Sequence, residues 1–161
     1  NGGAGDDTLL VDSRADRVIE VAAGGADTVF ASGAEGYVLP AGVEALVLVG
    51  QARLGWGNGL DNLLLGSTGG DTIYGREGAD TIRGGLGNDS LWGGSGGDLF
   101  VVGAGDGDDV IRDFNWAEDR LDFGSAVATG AQVAAGYLFT YGAGDSLLLR
   151  GAGPPPPDFI L

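Results

Sequence analysis

Asp71, Asp80, Asp89 and Asp98 stand nine residues apart. Glycine precedes each of them five and two residues upstream, at Gly66 and Gly69, Gly75 and Gly78, Gly84 and Gly87, and Gly93 and Gly96. Two residues after each aspartate comes an apolar side chain: Ile73, Ile82, Leu91 or Phe100. Composition alone would produce one such unit with a chance of roughly 0.002, and four in register on the order of 10⁻¹¹, so the period is part of the design. Carboxylates and glycine carbonyls repeated at fixed spacing are hard oxygen donors, the kind of which calcium takes about 6 to 8.

What is missing narrows the chemistry further. The chain has no Cys, His, Met or Lys, which removes disulfides, Cys/His zinc sites, Walker A loops and Ser-His-Asp triads. Gly93-Gly94-Ser95-Gly96-Gly97 matches the GxSxG nucleophile elbow in form, but it lies inside a repeat and has no histidine to activate its serine. A glycosidase pair needs two carboxyl groups in unlike environments, whereas these aspartates occupy equivalent positions. Asn88-Asp89-Ser90 spells a glycosylation sequon at a turn position, a chance match. No enzymatic activity is expected of this segment; a catalytic domain would lie outside it.

The elements that must position the aspartates follow from the period. Nine residues divide into a six-residue turn and a three-residue strand, with the apolar residue at position eight facing inward because strand side chains alternate. Two units make one coil, so loops 18 residues apart stack at about 4.8 Å. Asp71 then lies beside Asp89 on one edge, and Asn62, Asp80 and Asp98 share the other. Like charges about 5 Å apart repel by about 0.8 kcal/mol in water and about 3 kcal/mol at an effective dielectric of about 20. A thin core cannot readily overcome that repulsion together with the ordering entropy of many glycines. A calcium ion between adjacent loops, held by their aspartates and turn carbonyls, reverses the sign.

Length and charge agree. The 161 residues, 34 of them Gly and 43% apolar, suffice for one domain with a core. With 23 acidic against 8 basic residues the formal charge is −15, which repels phosphate backbones and excludes a nucleic-acid partner. No apolar run approaches a membrane span, and no basic-then-apolar leader is present. The lack of Met and the start at Asn1 in mid-repeat mark the chain as a piece of a longer protein.

The pattern continues imperfectly outside the strict repeats. Gly2, Gly3, Gly5, Asp7 and Leu9 form an isolated copy, followed by a degenerate unit keeping Asp16 and Val18, and Asp27 precedes Val29 by the same step. Asn62 replaces an aspartate, and Asn62→Asp is expected to strengthen a weak loop. Ser67 and Arg76 replace the second glycine of their loops. Leu46 to Val49 reads as a strand, and Arg14, Arg17 and Glu20 as surface charges. Asp106, Asp113 and Asp119 are open between a further ion site and a solvated surface, while Asp109, two residues before Ile111, is carried as a ligand. Tyr137–Tyr141 and Ser146–Arg150 predict a hairpin closing the unpaired end, and Pro154 to Pro157 a stiff spacer. The tryptophans at 56, 92 and 116 look scattered, with no groove evident.

These units, clearest in Gly84 to Trp92 (GGLGNDSLW), resemble the RTX family and its GGxGxDxUx nonapeptide. The runs from Gly103 to Phe123 and from Gly144 to Leu161 are similar to the C-terminal cap and tail of serralysin-type proteins. The resemblance implies an all-β fold, a right-handed parallel β-roll (a β-helix solenoid) with a small antiparallel C-terminal cap. Its parts would be a degenerate segment at 1–56, the nonapeptide roll at 57–102, the cap at 103–150, and a Pro-rich spacer with secretion tail at 151–161. It implies several Ca2+ ions held by Gly2, Gly5, Asp7, Gly66, Gly69, Asp71, Gly75, Gly78, Asp80, Gly84, Gly85, Gly87, Asp89, Gly93, Gly94, Gly96, Asp98 and Asp109. It also implies calcium-dependent folding and export of a larger extracellular bacterial protein through a type I secretion transporter, with Asp158-Phe159-Ile160-Leu161 as the signal. The rival readings are a carbohydrate-binding module of a polysaccharide-modifying enzyme and a structural spacer of an adhesin.

Overall fold

The computed structural model describes residues 2–20 and 24–157. Within them the chain is all β and winds into a parallel solenoid of about six coils. One sheet holds β1 (Thr8–Val11), β2 (Thr28–Ala31), β4 (Ala45–Leu48), β6 (Leu63–Leu65), β8 (Thr81–Arg83), β10 (Leu99–Val101) and β12 (Arg120–Asp122), all parallel and in that order. The other holds β3 (Tyr37–Val38), β5 (Leu54–Trp56), β7 (Thr72–Glu77), β9 (Ser90–Ser95) and β11 (Asp108–Ile111), likewise parallel. Each strand therefore pairs with the one a full coil away, Ile73 with Leu91 and Leu64 with Ile82.

The strands are short because glycine turns interrupt them every few residues, and they persist because each donates one large side chain to a shared interior. Val29, Leu46, Leu64, Ile82 and Phe100 from the first sheet meet Ile73, Leu91 and Ile111 from the second, all fully buried. The position-eight expectation is met in every strict repeat. The loops consequently fall on two edges. One edge carries 2–7, 24–27, 39–44, 57–62, 75–80, 93–98 and 112–119; the other carries 49–53, 66–71, 84–89 and 102–107.

The C-terminal end is closed antiparallel. β15 (Asp145–Arg150) joins β11 in parallel, then β14 (Gly136–Tyr141) and β13 (Ala128–Val133) add antiparallel strands. Phe139, Tyr141, Leu147 and Leu149 extend the core into this cap. The expected hairpin is present, and β13 is the strand the sequence did not announce, since ATGAQV has one bulky apolar residue. Residues 103–122 belong to the solenoid itself: β11 and β12 add another coil, and the antiparallel part is confined to 128–150. Among the described residues no helix is long and apolar enough to cross a membrane. The tail Asp158 to Leu161 lies outside the described residues.

Candidate metal centre

Stacking a coil on its neighbour brings the repeat aspartates into two ladders. On one edge the backbone N–H of Asn62 donates to Asp80 Oδ1 at 2.8 Å, that of Asp80 to Asp98 Oδ1 at 2.9 Å, and that of Asp98 to Asp119 Oδ1 at 3.0 Å. On the other, Asp71 N–H donates to Asp89 Oδ1 at 2.7 Å and Asp89 N–H to Asp109 Oδ1 at 2.9 Å. Asp71, Asp80, Asp89, Asp98, Asp109 and Asp119 are all buried, although each carries an ionisable group. One oxygen of each carboxylate thus acts as a structural acceptor. The second oxygens of Asp80, Asp89 and Asp98, with Oδ1 of Asp71, are buried without a hydrogen-bond partner.

Local turn geometry explains how so much charge is held in one place. In loops 75–80, 84–89 and 93–98 the second and fourth residues have positive φ, and Gly85 at +97° and Gly87 at +113° show the conformation that glycine allows without a Cβ penalty. Gly3 and Gly5 repeat it in the first copy, and Gly105 and Gly107 repeat it before Asp109. The first glycine of a loop serves a different purpose. Asp89 Oδ2 lies so close to Gly84 that a Cβ there would overlap it, and Gly66, Gly75 and Gly93 bear the same relation to Asp71, Asp80 and Asp98. Carbonyl oxygens fill the space between stacked loops, that of Gly78 against Gly96 and that of Gly87 against Gly107.

The electrostatics are those of a cation trap. Burial pushes the Asp80 carboxyl up to about 7, with the charges of Asp98 and Asp61 adding and the Asn62 N–H opposing. Burial likewise pushes Asp89 to about 6 and Asp109 to about 7, and it raises Asp71, Asp98 and Asp119. Unpartnered carboxylate oxygens, an all-oxygen donor set and neighbouring turn carbonyls fit a calcium ion. The best-formed rungs are 75–80 over 93–98, through Asp80 and Asp98, and 84–89 over 104–109, through Asp89 and Asp109. An ion there would supply the positive charge these carboxylates lack.

The structure gives a place to several residues that the sequence left open or read as surface charge. Asp27 is fully buried with Oδ2 unpartnered, and its Oδ1 accepts from Asp7 N–H at 2.9 Å. Glu20, expected to be a surface charge, accepts from the N–H groups of Gly2 and Gly3 at 2.8 and 3.0 Å, and one oxygen each of Asp7, Glu20 and Asp27 lie within 4.8 Å of one another. Gly2 leaves room for the carboxylates of Asp7 and Glu20. Asp119 continues a ladder after an offset of 21 residues rather than 18, which hid it from a fixed period. Asp113 caps loop 93–98 by accepting from Gly93 and Gly94 N–H, both at 3.0 Å. Asp106 faces Arg83 at 3.5 Å. Asn88 accepts from Asp108 N–H at 3.1 Å, the work of a turn residue.

Two expectations change. Asn62 is not a weakened aspartate: its Oδ1 accepts from Asn58 N–H at 2.8 Å while its Nδ2 donates to the carbonyls of Val43 and Glu44 at 3.2 and 3.3 Å. An aspartate could not make the last two bonds. The tryptophans are not scattered either. Trp56, Tyr74 and Trp92 share one register and stack, with centroids 5.8 and 4.5 Å apart, and Arg14 and Arg112 lie 5.4 Å over the two ends. The ring faces are therefore used within the protein.

The sequence profile of the RTX calcium-binding nonapeptide repeat, in four copies, matches residues 1–18, 56–91 and 65–100. A stretch of 72 residues is 40% identical to the endo-1,3-1,4-beta-glycanase ExsH of Rhizobium meliloti (strain 1021); it covers 45% of this chain and 15% of that protein. Over residues 1–18 and 56–100 the chain is built of RTX calcium-binding nonapeptide repeats, and the parallel solenoid is the form their stacking takes.

Proposed function

We propose that the chain is a calcium-operated folding and export module of a larger secreted bacterial protein, and that it catalyses nothing itself. The observation that carries this reading is the ladder of buried carboxylates with unpartnered oxygens at Asp71, Asp80, Asp89 and Asp98. Without a cation each rung opposes the stacking it belongs to; with one it favours it. At a Kd of about 10⁻⁴ M, in the range of extracellular modules, about 1 mM calcium contributes about 1.4 kcal/mol per site, and four sites about 6 kcal/mol. That is comparable with the whole stability of a small domain. At cytosolic calcium the contribution vanishes, so the chain stays unfolded for threading through a type I transporter and folds outside the cell.

Circular dichroism in EDTA followed by calcium titration tests the folding part. A cooperative rise in β signal near millimolar calcium is expected, with magnesium a poor substitute because it demands a tighter octahedral shell. An equally folded chain in EDTA would overturn it. Export is tested separately by deleting Asp158 to Leu161, which should leave calcium binding intact and abolish transport; normal export of the truncated protein refutes the signal. Attachment to a glycan-cleaving enzyme accords with the named relative. Direct carbohydrate binding is not favoured, because the faces of Trp56, Tyr74 and Trp92 are covered by one another and by arginines.

A further inference from the structure

We propose that two rungs of the solenoid are closed by side-chain donors in place of calcium, by Arg53 on one edge and by Asn58 and Asn62 on the other. The inference rests on the calcium reading of the remaining rungs and concerns which loops take an ion.

Arg53 stands 18 residues before Asp71, at the place in the coil where the repeat would set an aspartate. Its guanidinium enters the space between loops 49–53 and 66–71. Nη1 donates to the carbonyls of Gly50 at 3.2 Å and Ala52 at 2.6 Å, and to Ser67 Oγ at 2.9 Å. The same group lies against Gly69, where an added Cβ would come within 2.9 Å of Nε. A positive charge surrounded by loop oxygens is what an ion would provide there. Ser67, which replaces a consensus glycine, supplies one of those oxygens and also accepts from Gly69 N–H at 3.3 Å.

The opposite edge of the same coil reaches the same result without charge. Asn58 Nδ2 donates to the carbonyls of Pro40 and Val43, both at 2.8 Å, and Asn62 Nδ2 donates to those of Val43 and Glu44. These amides occupy carbonyls that an ion between loops 39–44 and 57–62 would need. Backbone geometry agrees independently. Loops 57–62 and 66–71 both lack the pair of positive φ values found in 2–7, 75–80, 84–89, 93–98 and 104–109. The sequence departures at Arg53, Asn58, Asn62 and Ser67 therefore form one arrangement, a coil that stacks without an ion beside coils that require one.

The test is the location and number of ions in the full chain. In crystals of the calcium-loaded protein, anomalous scattering should place ions beside Asp80 and Asp98 and beside Asp89 and Asp109, with none in contact with the carbonyls of Gly50 or Val43. An ion at either of those carbonyls overturns the proposal. Ions absent from every loop would overturn the function proposed above as well, so the two failures are distinguishable. In solution, Arg53→Asp should bind one more calcium than the unaltered chain by native mass spectrometry and melt about 5 °C lower in EDTA, with calcium restoring the difference. An unchanged ion count in a folded Arg53→Asp protein overturns the assignment of Arg53. If that variant does not fold, the crystallographic ion positions decide alone.

Discussion

Asp80 hangs from Asp98. The backbone N–H of Asp80 donates to Asp98 Oδ1 at 2.9 Å across a full coil, while Asp98 Oδ2 stays buried with no partner. One carboxylate thus performs two tasks that can be separated: one oxygen holds the coils in register, and the other awaits a cation. Replacing the group by its amide keeps the first and removes the second.

Asp98→Asn should therefore act in opposite directions with and without metal. In EDTA the variant loses a buried charge and keeps the acceptor for Asp80 N–H, so it should be more stable by about 1–2 kcal/mol. In saturating calcium it loses a ligand and should melt below the unaltered protein. Thermal unfolding in both conditions checks this; a variant less stable in both would mean that the second oxygen is satisfied some other way.

Asn62→Asp separates the structure from the repeat consensus. The consensus predicts a gained ligand. The structure predicts the loss of two amide donations, to the carbonyls of Val43 and Glu44, and a new acceptor set among acceptors. The expected cost is about 1–3 kcal/mol with no additional ion by isothermal titration. Tighter calcium binding by this variant would show that the loop can rearrange into an ion site.

The ion-free protein should gain stability on acidification. Asp80, Asp89 and Asp109 have carboxyl groups raised by burial to about 7, 6 and 7. A raised value in the folded state means that folding takes up protons, so this contribution is fully present below the unfolded value of about 4 and is lost as pH rises through about 6 to 7. Denaturant unfolding in EDTA should show greater stability at pH 5 than at pH 8. Calcium competes with those protons, so its affinity should fall as pH drops through the same interval, and proton release on binding should be measurable by calorimetry in buffers of different ionisation enthalpy.

Arg76 is a non-glycine residue at positive φ, +86°, in the turn before Asp80. The left-handed conformation costs a non-glycine residue about 1–2 kcal/mol, part of which glycine returns through its greater freedom when unfolded. Arg76→Gly should stabilise the calcium-bound fold by about 0.5–1 kcal/mol, a rise of about 1 to 3 °C in Tm. A lower Tm would show that the exposed arginine makes a contribution that outweighs its strain.

The nine-residue period by itself determined the solenoid, its inward row of Ile73, Ile82, Leu91 and Phe100, and the division of the aspartates between two edges. Local rules suffice for these: strand side chains alternate, and a glycine turn of constant length returns the chain to the same place after every coil. Tertiary structure decided what a fixed period cannot express. Asp109 and Asp119 join the ladders across offsets of 20 and 21 residues, because turns of different length can still bring a carboxylate to the same edge. Glu20 and Asp27 meet Asp7 only once the first coil closes. Trp56, Tyr74 and Trp92 become a stack only when strands from three coils align. At Asn62 and Arg53 the sequence shows only a missing aspartate, and whether that is a defect or a replacement depends on what the new side chain reaches. Asn62 reaches two carbonyls and Arg53 three loop oxygens, contacts set by a neighbouring coil 14 to 19 residues away or by the loop's own backbone, which composition and spacing do not encode.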